Sequence, residues 1–179
     1  MANFFTADNH YFHTNILKYC PERGKLFQSL SEMDSFMIHQ WNSVVKPNDT
    51  IYVVGDFVFG GKTQIGRAVS VLTGHKILIR GNHDKGTQRY LDAGFIHMYD
   101  ELMIDLGGQQ VLLNHFPYDT TDPRFQSRKP KDTGLWLLCG HAHDKWLRRE
   151  KMINVGVDQW NFAPVNEHQI LQLIHESVT

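Results

Sequence analysis

Asp8 and His10 are separated by a single residue, and so are His141 and His143. Between these pairs the chain places Gly55-Asp56, the run Gly81-Asn82-His83-Asp84 and, after Asn114, His115. Together these side chains suit one kind of chemistry. Imidazole nitrogens mixed with carboxylate oxygens form a donor set that fits Mn, Fe, Zn or Ni better than Ca. No serine or cysteine motif for nucleophilic catalysis accompanies them. Of the 11 histidines in the chain, His39, His75, His97, His168 and His175 fall in helical or surface contexts and receive no role.

Hydrophobic runs position the candidate ligands. Residues 3–7 (NFFTA), 50–54 (TIYVV), 76–79, 109–114 and 135–139 read as strands. Asp8, Asp56, Asn82, His115 and the His141/His143 pair each lie just past the carboxyl end of one of them. In open α/β sheets that edge is where ligands collect. So many polar groups at adjacent strand ends are costly to bury unless a metal or partner satisfies them. A helix is expected from Ser31, with Asp34 completing a capping box, towards Val45, presenting Met33, Phe36, Met37 and Trp41. Further helices are expected over 63–72 and 166–176, and a strand over 152–155. Residues 101–106 and 109–114 flank Gly107-Gly108 as a hairpin with a primed turn. The alternation of strand and helix argues for an α/β fold. Residues 1–179 read as one domain.

In this order the residues resemble a known family. Asp8-Asn9-His10, Gly55-Asp56, Gly81-Asn82-His83-Asp84, His115 and Gly140-His141-Ala142-His143 look like the five motifs of the calcineurin-like metallophosphoesterases. Ile153-Asn154-Val155-Gly156 is similar to the asparagine–glycine turn that often follows them. The resemblance implies two β-sheets sandwiched between helices, a four-layer αββα arrangement with a dinuclear centre at one end. It implies two divalent transition-metal ions, with Mn favoured and Fe, Zn or Ni as alternatives. Asp8, His10 and His143 would hold the first, and Asn82, His115 and His141 the second, with Asp56 bridging. A hydroxide shared by the metals would attack a phosphate ester. His83 would protonate the leaving oxygen, with Asp84 orienting its ring. Serine/threonine protein phosphatases carry Gly-Asn-His-Glu where this chain has Asp84, so protein phosphatase activity is not expected. The resemblance is strongest to small single-domain bacterial and phage phosphoesterases.

Substrate preference is expected from residues 117–134, a polar segment without periodicity that leaves directly from His115. Residues 124–151 hold eight basic and three acidic side chains in a chain of net charge −1. Such a patch can attract an anion. Arg124 and Arg128 can approach a phosphate, and His13 lies near the centre. Trp146, with Tyr118 and Phe125, could stack on a base. The reading leans to phosphodiesters, nucleotide, cyclic nucleotide or nucleic-acid. The alternatives are a phosphomonoesterase and a metal-binding scaffold without activity. No run of about 18 apolar residues marks a membrane span. The N-terminal MANFFTADNHYFH lacks a signal-peptide pattern. With Cys20 and Cys139 the only cysteines, a reduced, cytoplasmic protein is expected.

Overall fold

The computed structural model describes residues 1–176. In chain order the elements are β1 (Asn3–Thr6), α1 (Ile16–Tyr19), α2 (Pro21–Leu26), α3 (Leu30–Val44), β2 (Thr50–Val54), α4 (Lys62–Val71), β3 (His75–Ile79), α5 (Thr87–Ala93) and β4 (Phe95–Tyr99). There follow β5 (Leu102–Leu106), β6 (Gln109–Leu113), β7 (Trp136–Cys139), β8 (Arg148–Arg149), β9 (Met152–Asn154), β10 (Val165–Asn166) and α6 (Glu167–His175). One sheet has the order β10-β1-β2-β3-β4 and the other β5-β6-β7-β9-β8. Both are mixed: β1 to β4 run parallel with β10 antiparallel, and β6, β7 and β9 run parallel between antiparallel edges.

Burial explains the layering. Phe5, Ala7, Val54 and Ile79 of the first sheet meet Leu113, Leu138, Ile153 and Val155 of the second in one apolar layer, joined by Ile170 and Ile174 of α6. The opposite face of the first sheet carries Ile51, Val53 and Leu78, covered by Met33, Met37 and Trp41 of α3 and by Ile65 and Ala68 of α4. On the outer face of the second sheet, Leu137, Cys139 and Met152 lie under Tyr118 and Trp146 from the connecting segments. This is an α/β fold of two mixed sheets with helices. Strands β1, β2 and β3 are in register, Thr6 opposite Val53 and Val54 opposite Ile79, so their carboxyl ends lie side by side. Val157 N–H donates to the Ala7 carbonyl at 3.0 Å, which brings the corresponding ends of the second sheet to the same edge.

Several local expectations shift. Helix α3 is capped two residues earlier than Ser31: Ser29 is its cap and accepts from Glu32 N–H at 3.1 Å. Asp34 is freed from capping and instead accepts from Phe12 N–H at 3.1 Å. Phe36 turns away from the core stripe and stays 37% exposed. Gly107 and Gly108 both have positive φ, as a primed hairpin turn requires. Helices α1, α2 and α5 and strands β4, β8 and β10 have no clear periodic signal in the sequence; all are short, and their place comes from tertiary packing.

Candidate metal centre

Backbone conformation is the first sign that this edge is built for a purpose. Asp8, His10, Asp56, His141 and His143 all have φ between 48° and 66°. Non-glycine residues rarely adopt this left-handed region, and strain of this kind gathers at functional sites. From the sequence, Asp8/His10 and His141/His143 are expected as extended or turning pairs. The left-handed turn lets both side chains of the Asp8/His10 pair reach one point, shared with His143. Glycines make room: a Cβ on Gly140 would stand 2.7 Å from Asp8 Oδ2, and one on Gly81 would collide with the backbone nitrogen and Oδ1 of Asp56. Gly81 therefore serves close approach and not a left-handed turn.

The side chains converge on Asp56. Its Oδ2 is 3.5 Å from Nε2 of His115 and 3.7 Å from Nε2 of His10. Asn82 Oδ1 lies 3.2 Å from His115 Nε2. His143 Nε2 stands 4.0 Å from Asp8 Oδ1. The His141 ring meets His115 edge-on at 5.3 Å between centroids, and its backbone N–H donates to Asp8 Oδ2 at 2.8 Å. Among the described residues, three sets of donor atoms each fall within 4.8 Å of one another: Asp8, His10, His143; Asp8, Asp56, His115; and His10, Asp56, His83.

Electrostatics show what would satisfy these groups. Burial pushes the Asp8 carboxyl up against the pull of His143 and His115, and likewise raises Asp56. Burial, helped by neighbouring His143, holds His10 well below the usual imidazole range, and burial lowers His115 too. His141 is brought down to about 3 by burial and by the His115 and His143 rings. His143 is the exception: burial disfavours its charge, but Asp8, Asp158 and Cys20 together push it up to about 11. A bound cation reverses these costs, because it favours ionised carboxylates and neutral rings. Asp8 Oδ1 and His10 Nε2 are buried with no hydrogen-bond partner. Orphaned acceptors are costly in an apolar interior and are what a divalent cation would use. The residues present fit a metal.

The calcineurin-like phosphoesterase family model matches residues 4–172. The chain belongs to this family. An uncharacterized protein of Methanocaldococcus jannaschii is 29% identical over 182 residues, spanning 97% of this chain and 91% of its own. The gene 66 protein of Mycobacterium phage L5 is 31% identical over 202 residues, spanning 98% and 95%. The crystal structure of a protein of unknown function from Aquifex aeolicus shares the fold with a TM-score of 0.76 at 29% identity, covering 96% of this chain and 98% of that one. Family membership carries the class of chemistry, hydrolysis of phosphate esters.

Within this calcineurin-like phosphoesterase, the remaining predicted residues divide. The His83 side chain is 35% exposed, on the solvent side of Asp56, with Nε2 at 3.9 Å from Asp56 Oδ2. Its backbone N–H donates to Asp56 Oδ1 at 2.9 Å. Asp84 does not orient the His83 ring. Its oxygens accept from the backbone N–H of Asp56 (2.7 Å), Gly81 (2.9 Å) and Phe57 (3.2 Å) and from the Tyr90 hydroxyl (2.8 Å). Asp84 thus fixes the two ligand-bearing turns to each other. His13 is buried, 3.4 Å from His10 between Nδ1 atoms and stacked on Phe59. Arg128 donates to the carbonyls of Arg80 and Gly81 at 3.3 and 3.1 Å, behind the turn that carries Asn82. Arg124 is exposed and clamped by Asp122. Trp146 packs on the second sheet's outer face under Arg149.

Sequence reasoning missed the support behind the first ligand set. Arg23, wholly buried in α2, pairs with Asp158 through two 2.7 Å hydrogen bonds and donates to the Asp8 carbonyl at 2.7 Å. Asp158 Oδ2 in turn lies 3.3 Å from His143 Nδ1. Cys20 Sγ also sits 3.4 Å from that nitrogen. Asn154 donates to the carbonyls of His143 and Trp146 at 2.8 and 2.9 Å, pinning the loop. The one available signal was Asp158 following the Gly156 turn; Arg23 had none.

Proposed function

We propose that the chain is a dinuclear-metal phosphodiesterase. Asp8, His10 and His143 hold one divalent ion, Asn82, His115 and His141 a second, and Asp56 lies between them. Two such ions supply Lewis acidity to the phosphoryl oxygens and make water acidic enough to be a nucleophile near neutral pH. Manganese fits the mixed nitrogen and oxygen donors. The convergence of His10, His115 and His83 on Asp56 Oδ2 carries this reading.

The chain's own residues divide the work. Asp56, anchored through the His83 backbone N–H, keeps the turn 81–84 against the centre. His83 holds a proton on the solvent-facing side and delivers it to the leaving oxygen as the phosphorus–oxygen bond breaks. It recovers a proton from water, to which its ring is open. The arrangement favours a diester on two grounds. Among the described residues, Lys145 is the only lysine or arginine lining the central groove, beside Asp56, Asp144 and five histidines, which suits the single charge of a diester better than a monoester dianion. The groove also continues both ways, past Asn82 and His83 on one side and past His141 and Lys145 on the other, leaving room for two ester arms.

The test is protein reconstituted with Mn²⁺ and offered an aryl diester and an aryl monoester. Faster turnover of the diester is expected, abolished by chelator. Preference for the monoester would remove the diester assignment.

A further inference from the structure

The groove beyond His83 has features that the central site does not use. It measures about 470 Å³ and is lined by Phe59, Phe125, Lys85, Arg89 and Arg124 together with Asn82 and His83. That size is ordinary for a built ligand pocket. Phe59 is 46% exposed, whereas Phe57, two residues earlier, is fully buried. Its position is not slack: the Phe59 backbone N–H donates to the Tyr11 carbonyl at 2.9 Å, and one face of the ring lies on His13 at 4.2 Å and 11°. Phe59 also borders the groove, with the His83 ring 5.7 Å away. Phe125 is likewise set, stacked on Phe116 at 4.9 Å and carried by the short turn Pro123–Phe125.

The charge of this groove differs from that of the centre. No aspartate or glutamate is among its lining residues, and it has three cations. Asp122 offsets the charge of Arg124, so Lys85 and Arg89 supply most of the positive potential. Aromatic faces interleaved with cations are how proteins track single-stranded nucleic acid. A cyclic nucleotide or aryl diester has one phosphate, and the centre would hold it. A chain adds a second phosphate one nucleotide further on.

We propose that this groove is a leaving-group subsite for a nucleotide, making the substrate a phosphodiester within a single-stranded oligonucleotide. The inference rests on the phosphodiesterase reading above. The base lies on Phe59 and Phe125, and the next phosphate along the chain meets Lys85 and Arg89. Cleavage breaks the bond from phosphorus to the oxygen facing His83, which gains the proton, so the nucleotide held in this groove departs first.

Two measurements test this. The first is kcat/KM for a short single-stranded oligodeoxynucleotide divided by kcat/KM for an aryl diester. Phe59→Ala and, separately, Lys85→Gln should each lower this ratio, Phe59→Ala on the order of tenfold; an unchanged ratio in both overturns the subsite while leaving the phosphodiesterase reading intact. The second is binding of a dye-labelled, phosphorothioate-linked oligonucleotide against salt. Because both side chains meet one phosphate, Lys85→Gln with Arg89→Gln should flatten the log–log slope by about 0.7, the share of one phosphate contact on a single strand. Lys85→Gln alone, an exposed change, should flatten it by about half as much. If the metal-loaded protein cuts neither substrate yet the slope shifts as expected, the phosphodiesterase reading and the leaving-group role are overturned together, and only nucleotide binding in the groove stands. No binding, or an unaltered slope, overturns the subsite.

Discussion

Oδ2 of Asp158 lies 3.3 Å from Nδ1 of His143 and accepts a 2.7 Å hydrogen bond from Nη2 of Arg23. The same Nη2 donates to the carbonyl of Asp8 at 2.7 Å. One buried cation therefore braces two of the proposed ligands from behind. A carboxylate on the far nitrogen fixes which imidazole nitrogen faces the metal and raises its basicity.

Replacing Asp158 by Asn should weaken metal binding, and some stability should go with it because the buried Arg23 then faces a neutral amide. An amide lacks the charge that favours an oriented, electron-rich ring, so affinity at the first site should fall about 10- to 100-fold. Calorimetric titration with Mn²⁺ measures this directly. Unchanged affinity would reduce Asp158 to a packing residue.

Arg23→Met leaves the Asp158 carboxylate buried without its partner. Breaking a buried pair on one side costs about 3–5 kcal/mol. Urea unfolding should show a loss of that size, and adding Asp158→Leu should recover part of it. Equal losses in the single and double variants would mean that the charge is not the cause.

His83 and Asp84 are adjacent but should fail differently. His83→Ala should slow turnover by about 10²–10⁴-fold with metal content unchanged. Lost metal would instead make His83 a ligand, as its place beside His10 and Asp56 permits. Asp84→Ala removes an acceptor from three backbone N–H groups and the Tyr90 hydroxyl. About 3 kcal/mol or more of stability should go with it, and bound metal should decrease as Asp56 shifts.

Gly81→Ala places a methyl against the backbone and carboxylate of Asp56, neither of which can move aside freely. Elemental analysis after Mn²⁺ loading should find less metal than in the wild type, with a lowered Tm. A normal metal content would show that the two turns can separate without harm.

Asp34 gives a pH dependence of defined sign. Burial raises its carboxyl to about 6, against the pull of the Phe12 N–H and Arg23. The unfolded chain loses this proton at a lower pH, near 3.9. The contribution of the protonated acid is thus full below about pH 4 and falls as pH rises to about 6. Urea unfolding of wild type relative to Asp34→Asn should show this decline over that window. A flat difference would mean that Asp34 ionises in the fold as freely as in water.

The centre was legible because its signal is local. Each candidate ligand follows an apolar run, and parallel strands in register must bring their carboxyl ends together. The residue types alone then form a donor set that could hold a metal, and their order points to the family. Short elements such as α5 and β4 were not legible, since a helix of seven residues and a strand of five gain their stability from packing and not from periodicity.

What only the tertiary structure decided is who supports whom. Asp84 looked like the partner of the histidine beside it, but a buried carboxylate goes where unpaired N–H groups are, and these belonged to residues 56, 57 and 81. Arg23 and Asp158 meet across 135 positions of sequence. No pattern of spacing encodes such a pair, because a buried charge takes its partner from whatever the closed fold sets within hydrogen-bond reach.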